Sequence, residues 1–151
     1  MQTATHGARD RSDRFELIAA CEGETLAELA DAVLADGPEL RVLREPSAQL
    51  VMQRVTEPVE KRPFNLGEVL VTAAEVELDG ARGFAMIPGK EERAALSGAI
   101  VDAAVAAGHD LTDRIAAELR AAAAARERRR RRRWAESRAT TVEFETMEED
   151  G

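Results

Sequence analysis

The chain has one cysteine, two histidines, one tryptophan, four phenylalanines and no tyrosine in 151 residues. Each shortage excludes something. A single thiol, Cys21, cannot close an internal disulfide, nor can it supply the thiolates of an iron–sulfur cluster. His6 and His109 have no partner at metal-ligand spacing. No glycine-rich phosphate loop, nucleophile elbow or paired-histidine motif is present. No run approaches the roughly 18 apolar residues of a membrane span. The N-terminus, M-Q-T-A-T-H-G-A-R-D-R-S-D-R, lacks the apolar core of a signal peptide. A cytoplasmic location is expected. Lysine is confined to Lys61 and Lys90, a scarcity that, with abundant alanine and excess acid, suits a high-salt cytoplasm.

What the sequence has in plenty is arginine, concentrated in one place. R-E-R-R-R-R-R-R, Arg126–Arg133, holds seven arginines and one glutamate. The whole chain carries 21 basic and 29 acidic side chains, for a net charge of −8; without that block 14 and 28 remain, a net of −14. The block is a basic island on an acidic body that repels polyanions, so any nucleic-acid contact is confined to it. Phosphate binding through such a run also falls steeply with salt. A nucleic-acid-binding protein acting through Arg126–Arg133 is the alternative reading of function.

The periodicity changes twice along the chain. Residues 1–12 read as a loose tail. Phe15, Ile18 and Ala19 have helical spacing, and Leu26, Leu29, Ala30, Val33 and Leu34 mark a second helix that ends at Asp36-Gly37-Pro38. Residues 39–44 and 49–55 then read as two strands, followed by a loop over 57–65. In residues 67–87, Asp79-Gly80 between alternating apolar positions signals a hairpin with a type I′ turn. The apolar parity shifts between Val69/Val71 and Val76/Leu78, which predicts a bulge near Ala73-Ala74. After Pro88-Gly89, Leu96, Ile100, Val101 and Val105 form one helical stripe, and Leu111, Ile115, Leu119, Ala122 and Ala123 another. The second stripe runs into the arginines, which encircle a helix and leave it no apolar face. T-T-V-E-F-E-T-M, 140–147, reads as a strand. The pattern is α+β: an N-terminal helical hairpin, a mostly antiparallel sheet of about four to five strands, two C-terminal helices and a closing strand. It forms one domain over 13–147, with an arginine-rich extension at 126–133 and an acidic tail at 148–151.

No catalytic residue or metal ligand emerges from this inventory. Glu75 and Glu77 share one strand face and read as a solvated acidic surface. One block does carry a resemblance. P-F-N-L-G-E (63–68), Val71-Thr72, Asp79-Gly80, Gly89-Lys90-Glu91 and A-I-V-D-A (99–103) together resemble the central part of the PhnG family. This family supplies a subunit of the carbon–phosphorus (C–P) lyase core complex. E-P-S-A-Q-L-V-M-Q-R (45–54), R-A-T-T-V-E-F-E-T-M (138–147) and Arg14–Leu34 resemble its flanking parts. Where the family often carries a histidine ahead of the helix, this chain has Ala94.

The resemblance implies a non-catalytic, structural subunit working with PhnH-, PhnI- and PhnJ-type subunits and with PhnL- and PhnK-type ATPase-like proteins. The PhnI-type subunit displaces adenine from MgATP with a phosphonate, giving a ribose 1-phosphonate 5-triphosphate. The PhnJ-type subunit later breaks the carbon–phosphorus bond, using an iron–sulfur cluster with S-adenosylmethionine. This chain itself is expected to bind no cofactor. Asn65, Glu68 and Lys90, the polar members of the loop 57–68 and the turn 88–90, are the candidate partner contacts.

Overall fold

The computed structural model describes residues 3–56 and 63–149, with side chains described over 11–52 and 67–138. Seven elements follow in order: α1 (Thr3–Ala20), α2 (Gly23–Leu34), β1 (Leu40–Thr56), β2 (Pro63–Leu78), β3 (Ala81–Pro88), α3 (Glu92–Ala106) and α4 (Thr112–Glu149). The architecture is α+β, with an antiparallel sheet in the order β1-β2-β3.

Among the described residues the sheet has three strands, slightly fewer than the expected four or five. The runs at 39–44 and 49–55 are one long strand, because the chain crosses Glu45-Pro46 by bulging without breaking. Val42 pairs with Val76 and Arg44 with Glu75, leaving Leu43 as an extra residue; Arg44/Glu75 and Ser47/Ala73 enclose a second one. The bulge expected near Ala73-Ala74 therefore sits opposite, on β1. β2 runs unbroken past it against β3, from Val71↔Pro88 to Leu78↔Ala81. A bulge on the edge strand changes β1's twist while the central ladder stays intact. β2 has its own extra residue further out, where Gln53 pairs with Gly67 and Arg54 with Asn65. The strand starts at Pro63, so 63–65, expected as part of a loop over 57–65, are strand, and 57–62 lie outside the described residues. The hairpin at Asp79-Gly80 forms as expected, with φ of 47° and 86°. Both values fall in the left-handed region that a type I′ turn requires.

At the C-terminus the expected closing strand is the last part of α4, which runs unbroken for 38 residues. A strand needs a ladder partner to satisfy its backbone, and a helix satisfies its own. The preceding alanines and arginines favour helix, so propagation costs little. At the N-terminus α1 begins at Thr3, so residues 3–12, expected as part of a loose tail over 1–12, are helical.

Helix α3 is the centre of the core. It lies against β2 and β3 on one side and α2 on the other, with α1 close by. Ten of its fifteen residues are buried, among them Ala94, Ala95, Gly98, Ala99, Ala103 and Ala104. A helix buried all round must be apolar all round, which is why Leu96, Ile100, Val101 and Val105 did not mark its only inner face. Small residues let it approach the sheet. A Cβ on Gly83 of β3 would come within 2.1 Å of the Ala99 carbonyl oxygen, and one on Gly98 within 2.7 Å of Ile18 Cγ2. The rest of the core is Ile18, Leu26, Leu29, Val33, Ala74, Val76, Leu78, Ala85 and Ile87, with Ile115 and Leu119 from α4.

Candidate functional site

Two polar residues of the sequence motifs, Asp102 and Thr72, turn inward and hold the fold. Asp102, in the A-I-V-D-A segment, is fully buried. Its Oδ1 accepts from Arg14 Nε at 2.6 Å and its Oδ2 from the Phe84 amide at 2.9 Å. One carboxylate thus ties α1 and β3 to α3, and Phe15 packs edge-on against Phe84 beside it. Thr72, the threonine of the V-T pair, is also buried. Its Oγ1 donates to the Gly89 carbonyl at 2.7 Å and accepts from the Glu91 amide at 2.9 Å. That hydroxyl shapes the Gly89-Lys90-Glu91 turn that leads into α3. The motif residues are explained by backbone satisfaction.

His109 and Cys21 are structural too. His109 Nδ1 accepts from the Leu111 amide at 3.0 Å, so Nε2 carries the proton and faces Asp36 Oδ2 at 3.0 Å. Thr112 Oγ1 donates to the His109 carbonyl, so this residue starts α4 and links it to the end of α2. Cys21 is buried. Burial pushes its thiol pKa up, against the opposing pull of a backbone hydrogen bond with Glu22. Among the described residues no three His, Cys, Asp or Glu side chains are grouped to hold a metal ion. No helix among them is long and apolar enough to cross a membrane.

What faces outward is of a different kind. Beyond Val71 the sheet loses both β3 and the cover of α3, and β1 with the outer part of β2 continues as a two-stranded ribbon. Directly opposed residues of an antiparallel pair share a face. Ala48, Leu50 and Met52 oppose Thr72, Leu70 and Glu68, so they extend the face that α3 covers further in. Without that cover Leu50 is 61% exposed, Met52 56% and Leu70 40%.

The expected contact residues lie at this margin. Glu68 is exposed on the ribbon opposite Met52, and Lys90 is exposed on the adjoining turn. The Gly89 amide bonds to the Leu70 carbonyl at 2.8 Å, which brings the Lys90 turn against β2 two residues from Glu68. Asn65 sits in β2 opposite Arg54, and its side chain lies outside the described set. Sequence reading missed Leu50, Met52 and Leu70, although L-V-M with apolar side chains on both faces was the available signal.

The second outward feature is α4. Ile115 and Leu119 bury it against the body, and every residue from Arg126 to Arg138 is exposed. Arg129 reaches Glu22 at 3.4 Å and Arg131 reaches Glu127 at 3.5 Å. Between α1 and α4 lies an open groove of about 770 Å³, with Leu17, Ile115 and Leu119 in its floor and Asp13, Glu16, Arg126 and Arg130 along it.

The family model for the phosphonate metabolism protein PhnG matches residues 9–149. The chain belongs to the PhnG family. A comparison with curated proteins gives no match. Membership assigns the chain to phosphonate metabolism. In this PhnG-family chain the motif residues Thr72, Asp79-Gly80, Gly89 and Asp102 each hold a turn or a helix junction.

Proposed function

We propose that the chain is a non-catalytic, structural subunit of the C–P lyase core complex. In this reading it supports the PhnI-type transfer of a phosphonate onto the ribose of MgATP, with release of adenine. Its partners are PhnH-, PhnI- and PhnJ-type subunits, with PhnL- and PhnK-type proteins joining them, in the cytoplasm. MgATP and the iron–sulfur cluster with S-adenosylmethionine belong to the partners' sites. The observation that carries the reading is the exposed apolar ribbon of Leu50, Met52 and Leu70. Contiguous apolar surface of this kind marks an interaction site, and Glu68 and Lys90 supply a polar margin, as interfaces require.

Co-expression with PhnH-, PhnI- and PhnJ-type subunits tests it. The expected outcome is a stable complex containing this chain, and adenine release from MgATP that needs the PhnI-type subunit. Adenine release by this chain alone, or a failure to co-purify with any of the three, overturns it.

A nucleic-acid-binding reading rests on one observation: Trp134 is 67% exposed and shares a cleft with Arg130, Arg131 and Arg133. An aromatic face beside arginines suits base stacking. Salt-sensitive DNA binding that disappears when residues 126–133 become alanine would support this reading; its absence at low salt removes it.

A further inference from the structure

The ribbon's exposed apolar residues coincide with backbone groups that have no partner among the described residues. β1 is an edge strand, since the sheet order is β1-β2-β3. In an antiparallel ladder a residue's N–H and C=O point to the same side, and the side alternates along the strand. Two bonds set the phase. The Leu70 carbonyl accepts from Gly89, on the β3 side of β2, and the Asp79 amide donates to Glu39, on the β1 side. Even-numbered residues of β2 over this stretch therefore turn away from β1, and odd-numbered ones bond to it. Their partners follow suit: Gln49 and Val51, opposite Val71 and Val69, bond inward, while Ala48, Leu50 and Met52, opposite Thr72, Leu70 and Glu68, turn outward.

Natural edges carry charge, proline or bulges that discourage pairing. The inner half of β1 has all three, in Arg41, Leu43, Arg44, Glu45 and Pro46. The stretch S-A-Q-L-V-M, 47–52, has none. We infer that the outer edge of β1 between Ser47 and Met52 is a strand-addition site for an extended segment of another subunit. This rests on the subunit reading above and names its contact. Only a strand can use a row of alternating donors and acceptors. Its side chains beside Leu50 and Met52 would be apolar, at every second position. A second copy of this chain is the disfavoured occupant, because its net charge of −8 makes copies repel.

Hydrogen exchange resolved by residue tests this on the full chain, free and in the complex co-expressed with PhnH-, PhnI- and PhnJ-type subunits. In the free chain the amides of Ala48, Leu50 and Met52 exchange fast and those of Gln49 and Val51 slowly. In the complex the first three slow by at least tenfold. Leu50→Pro removes an outward N–H and no donor of the β1–β2 ladder, so it should weaken assembly at least tenfold; Leu50→Thr, which keeps that N–H, should weaken it less. A complex in which the three amides still exchange fast overturns strand addition and leaves the subunit reading standing. If no complex forms, both fall. Concentration-dependent dimers of the free chain with the same amides protected would assign the edge to a second copy and overturn a heterologous occupant. Should Leu50→Pro fail to fold, the exchange pattern of the unmodified chain still decides.

Discussion

Helices α3 and α4 are both rich in alanine, yet they meet opposite fates. α3 is buried on nearly every side between sheet and helices, and α4 from Arg126 to Arg138 is buried on none. Alanine is compatible with either. What differs is the company it keeps. In α3 it alternates with Gly98, Ile100, Val101 and Val105, so each turn offers a close-packing surface. In α4 it gives way to arginines that surround the axis. At 1.5 Å per residue the 38 residues of α4 span about 57 Å, and Ile115 and Leu119 hold its first part in the core. The chain thus divides into a tightly determined centre and outer parts, α4 from Arg126 to Arg138 and the ribbon, whose own packing does not account for them.

The strongest test of this division is Asp102→Ala. It leaves the Arg14 guanidinium and the Phe84 amide without their acceptor inside the core. Removing one partner of a buried pair costs about 3–5 kcal/mol, a large share of a domain's stability. Chemical denaturation should show that loss, with α1 loosened in hydrogen exchange. A change below about 1 kcal/mol would mean that the centre is not organised around this carboxylate.

Thr72→Val comes next. The shape is nearly kept, but the Glu91 amide loses its acceptor and the Gly89 carbonyl its donor. The expected cost is about 1–3 kcal/mol, read by denaturation, with the Lys90 turn more mobile. If the ribbon margin depends on that turn, assembly weakens too, and this variant is where the two regions become coupled.

Legibility in the sequence follows the same line. The helices of the centre and the Asp79-Gly80 hairpin were readable because local signals, 3.6-residue stripes and a turn needing positive φ, agree with the packing. The role of Asp102 was not readable, since one buried aspartate looks like any other until Arg14, 88 positions away, is brought to it. The continuity of β1 through Glu45-Pro46 was hidden for a related reason: bulges are permitted on an edge, and being an edge is a property of the whole sheet. Residues 140–147 alternate like a strand but have no ladder to join, so helix propagation prevails. Of the candidate contacts, Asn65, Glu68 and Lys90 were proposed from motif position. Leu50, Met52 and Leu70 were marked only as apolar strand residues, and that signal does not say whether α3 reaches far enough to cover them.

A smaller effect concerns Cys21. Burial raises its thiol pKa in the folded state, so the native chain holds that proton more tightly than the unfolded chain does. Stability from this source is full below the unfolded thiol's pKa, about 8.5, and declines as pH rises through it toward the folded value. Thiol-alkylating reagents should react slowly with the native chain and fast once it is denatured. Fast native labelling would show that the α1–α2 junction opens readily and belongs with the outer regions.

The smallest effect is expected where the charge is largest. Changing Arg128–Arg133 to glutamine removes the Arg129–Glu22 and Arg131–Glu127 pairs, both at least half exposed. Exposed pairs of this kind contribute about 0–1 kcal/mol each, and substitutions away from packed contacts stay within about 0.5 kcal/mol. Denaturation midpoints of the free chain should therefore barely move, even though the net charge falls from −8 to −14. More negative charge adds self-repulsion, so any shift should be slightly destabilising and should vanish as salt is raised. If the variant instead loses several kcal/mol, the arginines are part of the centre, held by acidic surface such as Glu22. If stability holds but assembly weakens in a salt-dependent way, the helix extension is a contact for an acidic partner, working alongside the ribbon.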